Sequence, residues 1–278
     1  MESKLYETSG QGPLLFIRHG ETAYNTLSKS FGKEITRTSR GYLDCELNEN
    51  GEAQAQALSK KLSEYKINYA FSSPALRCLQ TCLISLKSHP EREQITIFVH
   101  PFLCETVSGV NGFCLNIREK KKNFNFQSEI KFDWSIFDSL FPDQQLQDIF
   151  FLNFIKRDDS RFLEISNKLQ SEEILNDKTL LENKLVELSS FYVRNSKRPE
   201  SLQDFFERSV KFKAFIREFI TCYSLNEKIH KIPIFTHSGF TRISSSQFAY
   251  DIQKRGTIDS FPKDCYQQEN CEITTIHI

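Results

Sequence analysis

Over 278 residues, 36 basic side chains balance 36 acidic ones, so no global field draws this chain to nucleic acid or to an anionic membrane surface, and any anion site must be local. The length admits one large α/β domain, or one domain carrying a sizeable insertion, with a substantial buried core. No stretch is long and apolar enough to span a bilayer, and Met1 to Gly12 is polar and mixed in charge, so a soluble cytoplasmic protein is the expectation.

The first element is the apolar run Leu14 to Ile17, which has the length of a buried strand and breaks at Arg18-His19-Gly20. At the carboxyl end of a parallel strand these polar side chains would face a ligand crevice, and Gly20 would let the backbone turn sharply and approach a ligand. Ala23 to Arg40 reads as a loop or short helix over that crevice. Asn48 then caps a helix whose first turn holds Glu49 and Glu52 and whose inner face holds Ala53, Ala57, Leu58 and Leu62. Tyr69 to Phe71 is a short strand, and Ser72-Ser73-Pro74 opens the next helix with the proline in its first turn and Arg77 just behind. Cys78 and Cys82 stack on one face of that helix as packing residues. The eight cysteines form no CxxC pair, so reduced thiols are expected.

Ile95 to His100 reads as a third strand, followed by Glu105 in a loop. Between Gly112 and Gly239 there is no glycine, and between Pro142 and Pro199 no proline, so Phe113 to about Arg198 reads as an inserted helical cap. Its stripes are Leu146, Ile149, Phe150 and Phe154, then Leu181, Leu185, Leu188 and Tyr192. The basic cluster Arg118, Lys120, Lys121 and Lys122 reads as a solvated helix face rather than an anion site. Ser201 caps a long helix that buries Leu202, Phe205, Phe206, Val210, Phe215 and Phe219. Ile232 to Phe235 is a strand in which Pro233 points to an edge or a strand start, and Thr236-His237-Ser238-Gly239 repeats the strand-His-Gly geometry of the first motif. Ile273 to Ile278 closes the chain as a strand. Strands alternating with helices give a three-layer α/β/α sandwich with a mainly parallel sheet, its core at residues 1–112 and 199–278 and the helical cap at 113–198.

The run Arg18-His19-Gly20-Glu21-Thr22, with Asn25 three residues on, resembles the signature of the histidine phosphatase superfamily, which includes cofactor-dependent phosphoglycerate mutases and many phosphatases. Gly41 to Gly51 resembles the block before that family's first long helix, with Asn48 in place of a Thr. Phe71 to Thr81 resembles its second signature, and Glu200-Ser201 with Arg208 resembles a run that opens a later helix. The resemblance implies His19 as nucleophile, Arg18 and Arg77 as phosphate ligands, Glu105 as the acid for the leaving group and His237 as the second catalytic histidine. It also carries Gly20, Glu21, Thr22 and Asn25 into the phosphate site. Cys114, Arg118 and Phe132-Asp133-Trp134-Ser135 weakly resemble a plant and fungal branch of mutase-like proteins, with Leu115 where an Asp should stand.

A histidine attacks phosphorus only when neutral, and Arg18, Arg77 and a protonated His237 would hold His19 in that state. Glu105 must arrive protonated. The chain shows no Walker loop, carboxylate metal cluster or dinucleotide fingerprint, so a reaction without metal or cofactor is the expectation. The preferred reading is a phosphatase acting on a small-molecule or protein phosphomonoester. A phosphoglycerate-mutase-type transfer, an inactive phospho-ligand scaffold and a helical interaction module are the competitors; neither nucleic acid nor membrane is an expected partner.

Overall fold

A computed structural model describes residues 13–32, 36–127, 129–155, 160–195, 199–226, 229–245 and 267–276. In chain order it contains β1 (Leu14–Arg18), α1 (Ala23–Phe31), α2 (Glu49–Leu62), β2 (Tyr69–Ser72), α3 (Leu76–Leu86), β3 (Thr96–Val99), α4 (Ile117–Gln127), β4 (Lys131–Asp133) and α5 (Ser135–Leu140). There follow α6 (Ser160–Leu169), α7 (Glu172–Asn176), α8 (Lys178–Arg194), α9 (Leu202–Cys222), β5 (Ile232–Thr236), α10 (Ser238–Ile243) and β6 (Ile273–Ile276). No helix among the described residues is long and apolar enough to cross a membrane. The expectations placed on Met1 to Gly12, Cys265 and the last two residues lie outside the described residues. The described cysteines are free thiols.

The six strands run in the order β4-β3-β2-β5-β1-β6, parallel except for β6, which pairs antiparallel with β1. Strand residues alternate between the two faces of the sheet. Leu15, Ile17, Ala70, Ile97 and Val99 pack with Leu58, Leu62, Leu79 and Cys82 of α2 and α3. Leu14, Phe16, Phe71, Phe98, Ile232 and Ile234 pack on the opposite side with Phe205, Phe212 and Phe219 of α9 and Phe240 of α10. The result is the three-layer α/β/α sandwich.

Several local readings differ from the sequence expectation. Ala53 and Ala57 of α2 and Val210 of α9 face solvent, and Ala55 and Phe212 take buried positions on those helices. β5 is central rather than at an edge, but the strand-start alternative holds: Pro233 is its second residue and costs the sheet nothing. Ile232 donates its N–H to Pro13 O at 2.8 Å on the β1 side, so Pro233 faces β2, whose register with β5 begins only at Phe71 and Ile234. α3 starts at Leu76, two residues beyond the proline, because Asp44 Oδ1 reaches across to accept the Leu76 N–H at 3.0 Å and serves as its cap.

The interval 113–198 is not helical throughout. Its first part, α4, β4 and α5, joins the main body: β4 extends the sheet beside β3, and Phe132, Trp134 and Phe137 enter the α2–α3 core. Three residues of strand are too short to show a period of two against a helical background. Gln147–Phe154 is a 3-10 segment rather than an α-helix. A separate cluster is built by Ile149, Phe151, Phe162, Leu181, Leu185 and Leu188 with Val107, Val110 and Phe113. That cluster packs directly against the loop beyond Glu105.

Candidate active site

The carboxyl ends of β1 and β5 lie side by side, tied by His19 N donating to Thr236 O at 3.0 Å. His19 and His237, one residue past each strand, are therefore brought within 5.2 Å of each other, centroid to centroid, in an edge-on arrangement. His19 Nδ1 lies 2.7 Å from Gly20 O. A carbonyl only accepts, so Nδ1 carries the proton and Nε2 is left with the lone pair. His237 has the opposite tautomer: Nδ1 accepts from Arg77 Nη2 at 3.2 Å, and Nε2 donates toward Ser73 Oγ, also at 3.2 Å.

Burial pushes both imidazoles well below the usual histidine range, and Arg77 reinforces the effect on each. Both rings are neutral near pH 7. The expectation of a charged His237 is thereby corrected: a fully enclosed ring facing a guanidinium cannot take up a second cation, and two arginines suffice to hold His19 neutral.

A cavity of about 510 Å³ opens over His19 and Arg77, lined by Arg18, His19, Arg77, Glu105, Thr22 and Asn25, among others, while His237, expected as the second catalytic histidine, lies behind the lining. Its lining holds five cations (Arg18, Lys29, Arg37, Arg77, Arg242) against two carboxylates (Glu105, Glu269), a local excess of positive charge on a chain with none overall. Arg18 Nε, Arg37 Nε, Arg77 Nη1, Thr106 Oγ1, Asn111 Oδ1 and Ser238 Oγ are buried and have no hydrogen-bond partner. So many orphaned polar atoms on one cavity wall mark a site awaiting a polar ligand, and the guanidiniums suit an anion. Glu105 is seated by two backbone donors, Thr106 N at 2.9 Å and Gly239 N at 3.2 Å.

Two residues expected at the phosphate site do not line the cavity. Gly20 is a glycine because the chain passes α2, not a ligand: a Cβ there would stand 2.5 Å from Gly51 O. The contact is mutual, since a Cβ on Gly51 would stand 2.1 Å from Glu21 O. Glu21 points away, accepting from Asn48 Nδ2 at 3.0 Å and Asn50 Nδ2 at 3.1 Å. Thr22 and Asn25 form a reciprocal capping box at the start of α1. The basic cluster on α4 is likewise neither a solvated face nor an anion site throughout. Lys120 is buried, paired with Asp44 and donating to Pro74 O at 2.8 Å, and Lys121 pairs with Asp138.

Several lining residues carry no sequence signal. Arg37 follows a stretch without periodicity, and its backbone carbonyl is held by Ser189 Oγ of α8 at 2.7 Å. Asn270 precedes β6, and its Nδ2 donates to His19 O at 2.8 Å; Gln268, buried behind the lining, accepts through its backbone O from Arg18 Nη1 at 2.7 Å. Among the described residues none from 113–198 lines the cavity, and no group of three or more His, Cys, Asp or Glu stands ready to hold a metal ion.

Residues 14–111 match the family model of the histidine phosphatase superfamily (branch 1). The chain is 34% identical over 73 residues to 2,3-bisphosphoglycerate-dependent phosphoglycerate mutase 1 of Gloeobacter violaceus, an alignment covering 26% of this chain and 28% of that one. It is 34% identical over 96 residues to fructose-2,6-bisphosphatase TIGAR of Xenopus laevis, covering 34% of this chain and 32% of that one. The aligned part thus spans less than a third of these relatives. A mycobacterial glucosyl-3-phosphoglycerate phosphatase structure is similar at a TM-score of 0.45 and 18% identity, over 94% of this chain and 88% of that one.

Proposed function

We propose that this protein is a metal-independent phosphomonoesterase that works through a phosphohistidine on His19. The observation that carries the proposal is the Nδ1–H bond to Gly20 O, which leaves Nε2 as a neutral, lone-pair nitrogen beside two unsatisfied guanidinium donors. In the first step Nε2 bonds to phosphorus as the bond to the leaving oxygen breaks. The proton stays on Nδ1, hydrogen-bonded to Gly20 O, which shares the charge that develops on the ring. Arg18 and Arg77 take the equatorial oxygens, whose charge they neutralise through the barrier. Glu105 gives its proton to the departing alkoxide, and in the second step takes one from the water that attacks phosphorus and returns the electron pair to Nε2. His237 stands behind Arg77 and aims it, accepting Nη2 and leaving Nη1 for the substrate.

Residues 113–198 are read as an insertion that supports this pocket from outside, through Val107, Val110 and Arg37, rather than a lid that lines it. Hydrolysis is favoured over mutase-type transfer because, among the described residues, no basic residue of 113–198 lines the cavity to retain a phospho-product. The matched relatives include both a mutase and a bisphosphatase, so both chemistries belong in the test.

Wild-type protein and His19→Ala are incubated with a panel of phosphomonoesters, with and without chelator, and phosphate release is followed beside acid-labile, base-stable phosphoenzyme. Release and phosphoenzyme that both vanish in His19→Ala and persist in chelator are expected. Turnover by His19→Ala would overturn the assignment. Transfer from phosphoenzyme to a second substrate in preference to water would make the protein a mutase.

A further inference from the structure

Glu200 and Arg208 are 1% and 4% exposed and form a bidentate pair, Nε to Oε1 at 2.9 Å and Nη2 to Oε2 at 2.8 Å. Arg208 Nη1 also donates to Phe102 O at 2.6 Å and Cys104 O at 2.8 Å, and Nη2 to Glu105 O at 3.4 Å. These bonds use all five guanidinium N–H groups, so none remains for a substrate. The Phe154 and Phe205 rings, 4.5 and 4.6 Å from the guanidinium carbon, fix its plane. On the far side of Glu105, Val107 N donates to Glu200 Oε2 at 3.1 Å.

Between these anchors lies the peptide joining Glu105 and Thr106. Its carbonyl accepts from Arg208, and its N–H donates to Glu105 Oε1. Turning that planar unit breaks both bonds together, so the orientation of the carboxylate is geared to the guanidinium. We infer that Glu200 and Arg208 are positioning residues that aim the Glu105 carboxyl at the leaving-group oxygen. The inference rests on the role proposed above for Glu105. It differs from a purely structural role in being selective: phosphate binding and His19 attack stay intact while proton delivery fails.

The test measures kcat/KM for wild type, Arg208→Lys and Glu200→Gln against aryl phosphates of graded leaving-group acidity and an alkyl phosphate. With the pair broken, 4-nitrophenyl phosphate is expected to lose about threefold or less, while the alkyl ester loses about a hundredfold, toward the value of a missing general acid. Lys120→Met, which breaks another buried pair, with Asp44, and touches nothing at Glu105, serves as the control for lost stability. It is expected to keep the wild-type dependence on leaving group. Equal losses for all esters in Arg208→Lys and Glu200→Gln would overturn the inference. If Arg208→Lys does not fold, Glu200→Gln, nearly isosteric, decides alone. Failure of the underlying function shows up separately, as absence of phosphohistidine in the wild type.

Discussion

Gly239→Ala separates catalysis from stability at one atom. An added Cβ would stand 2.1 Å from Glu105 Oε1 and 2.9 Å from its Cδ, so the carboxylate must leave its seat. Only the end of a flexible side chain has to move, and the cavity offers it water, so the fold is largely spared. An alanine in a helix recovers about 0.5–1 kcal/mol over glycine. The two bonds from Thr106 N and Gly239 N are exchanged for bonds to solvent, which costs a similar amount, about 0.5–1.5 kcal/mol each. Net destabilisation of about 1 kcal/mol, or about 2–4 °C in Tm, is expected. Loss of a placed general acid costs about two to four orders of magnitude, or about 3–5 kcal/mol of barrier. Thermal melting and kcat/KM for an alkyl phosphate and 4-nitrophenyl phosphate check both halves. A variant that melts near wild type yet hydrolyses the alkyl ester within about threefold of it would refute the role of this seat.

For His19, whose imidazole is held well below 6.5, the rate of phosphoenzyme formation should stay flat as pH falls through that value; a rapid-quench profile breaking at the ordinary histidine pKa would contradict the buried, arginine-flanked ring. His100, pushed down to about 3 by burial and then by Arg208, stays neutral in the folded chain while the unfolded chain protonates near 6.5. Its contribution is present above 6.5 and is lost as pH falls from there toward about 3, so between pH 6 and 5 urea stability should fall more steeply in wild type than in His100→Asn, by about 1.4 kcal/mol per pH unit. Gly51→Ala meets the Glu21 backbone at 2.1 Å, where nothing flexible can yield, and should cost about 1–3 kcal/mol in urea titration together with activity, since the displaced loop carries His19.

What was legible in the sequence was whatever a local pattern encodes. The two strand-end histidines stand on adjacent strands, Asn48 and Ser201 cap their helices through side-chain acceptors, and Leu181, Leu185, Leu188 and Tyr192 are buried on one face of α8. What escaped depends on contacts through space. Lys120 looks like any charge on a basic helix until Asp44, far back in the chain, is found beneath it. Arg37 and Asn270 sit in segments without period, and Glu200 and Arg208 carried a resemblance but no visible task until the loop holding Glu105 folded over them. β4 joins the sheet because β3 offers an edge, which its own three residues do not announce.

The strand order also dictates when the protein can first work as it is made. β1 and β2, both within the family-matched residues 14–111, do not pair; β5, synthesised long after both, is the strand between them. A nascent chain that has exposed residues up to 111 therefore holds a β2–β3 pair and a solitary β1, with the gap where the sheet should close still empty. Such late, long-range pairing slows folding. Any fragment ending before Ile232 lacks not only His237 but the strand that brings His19 beside Arg77, so the ribosome must deliver the chain through β5 before this pocket can form.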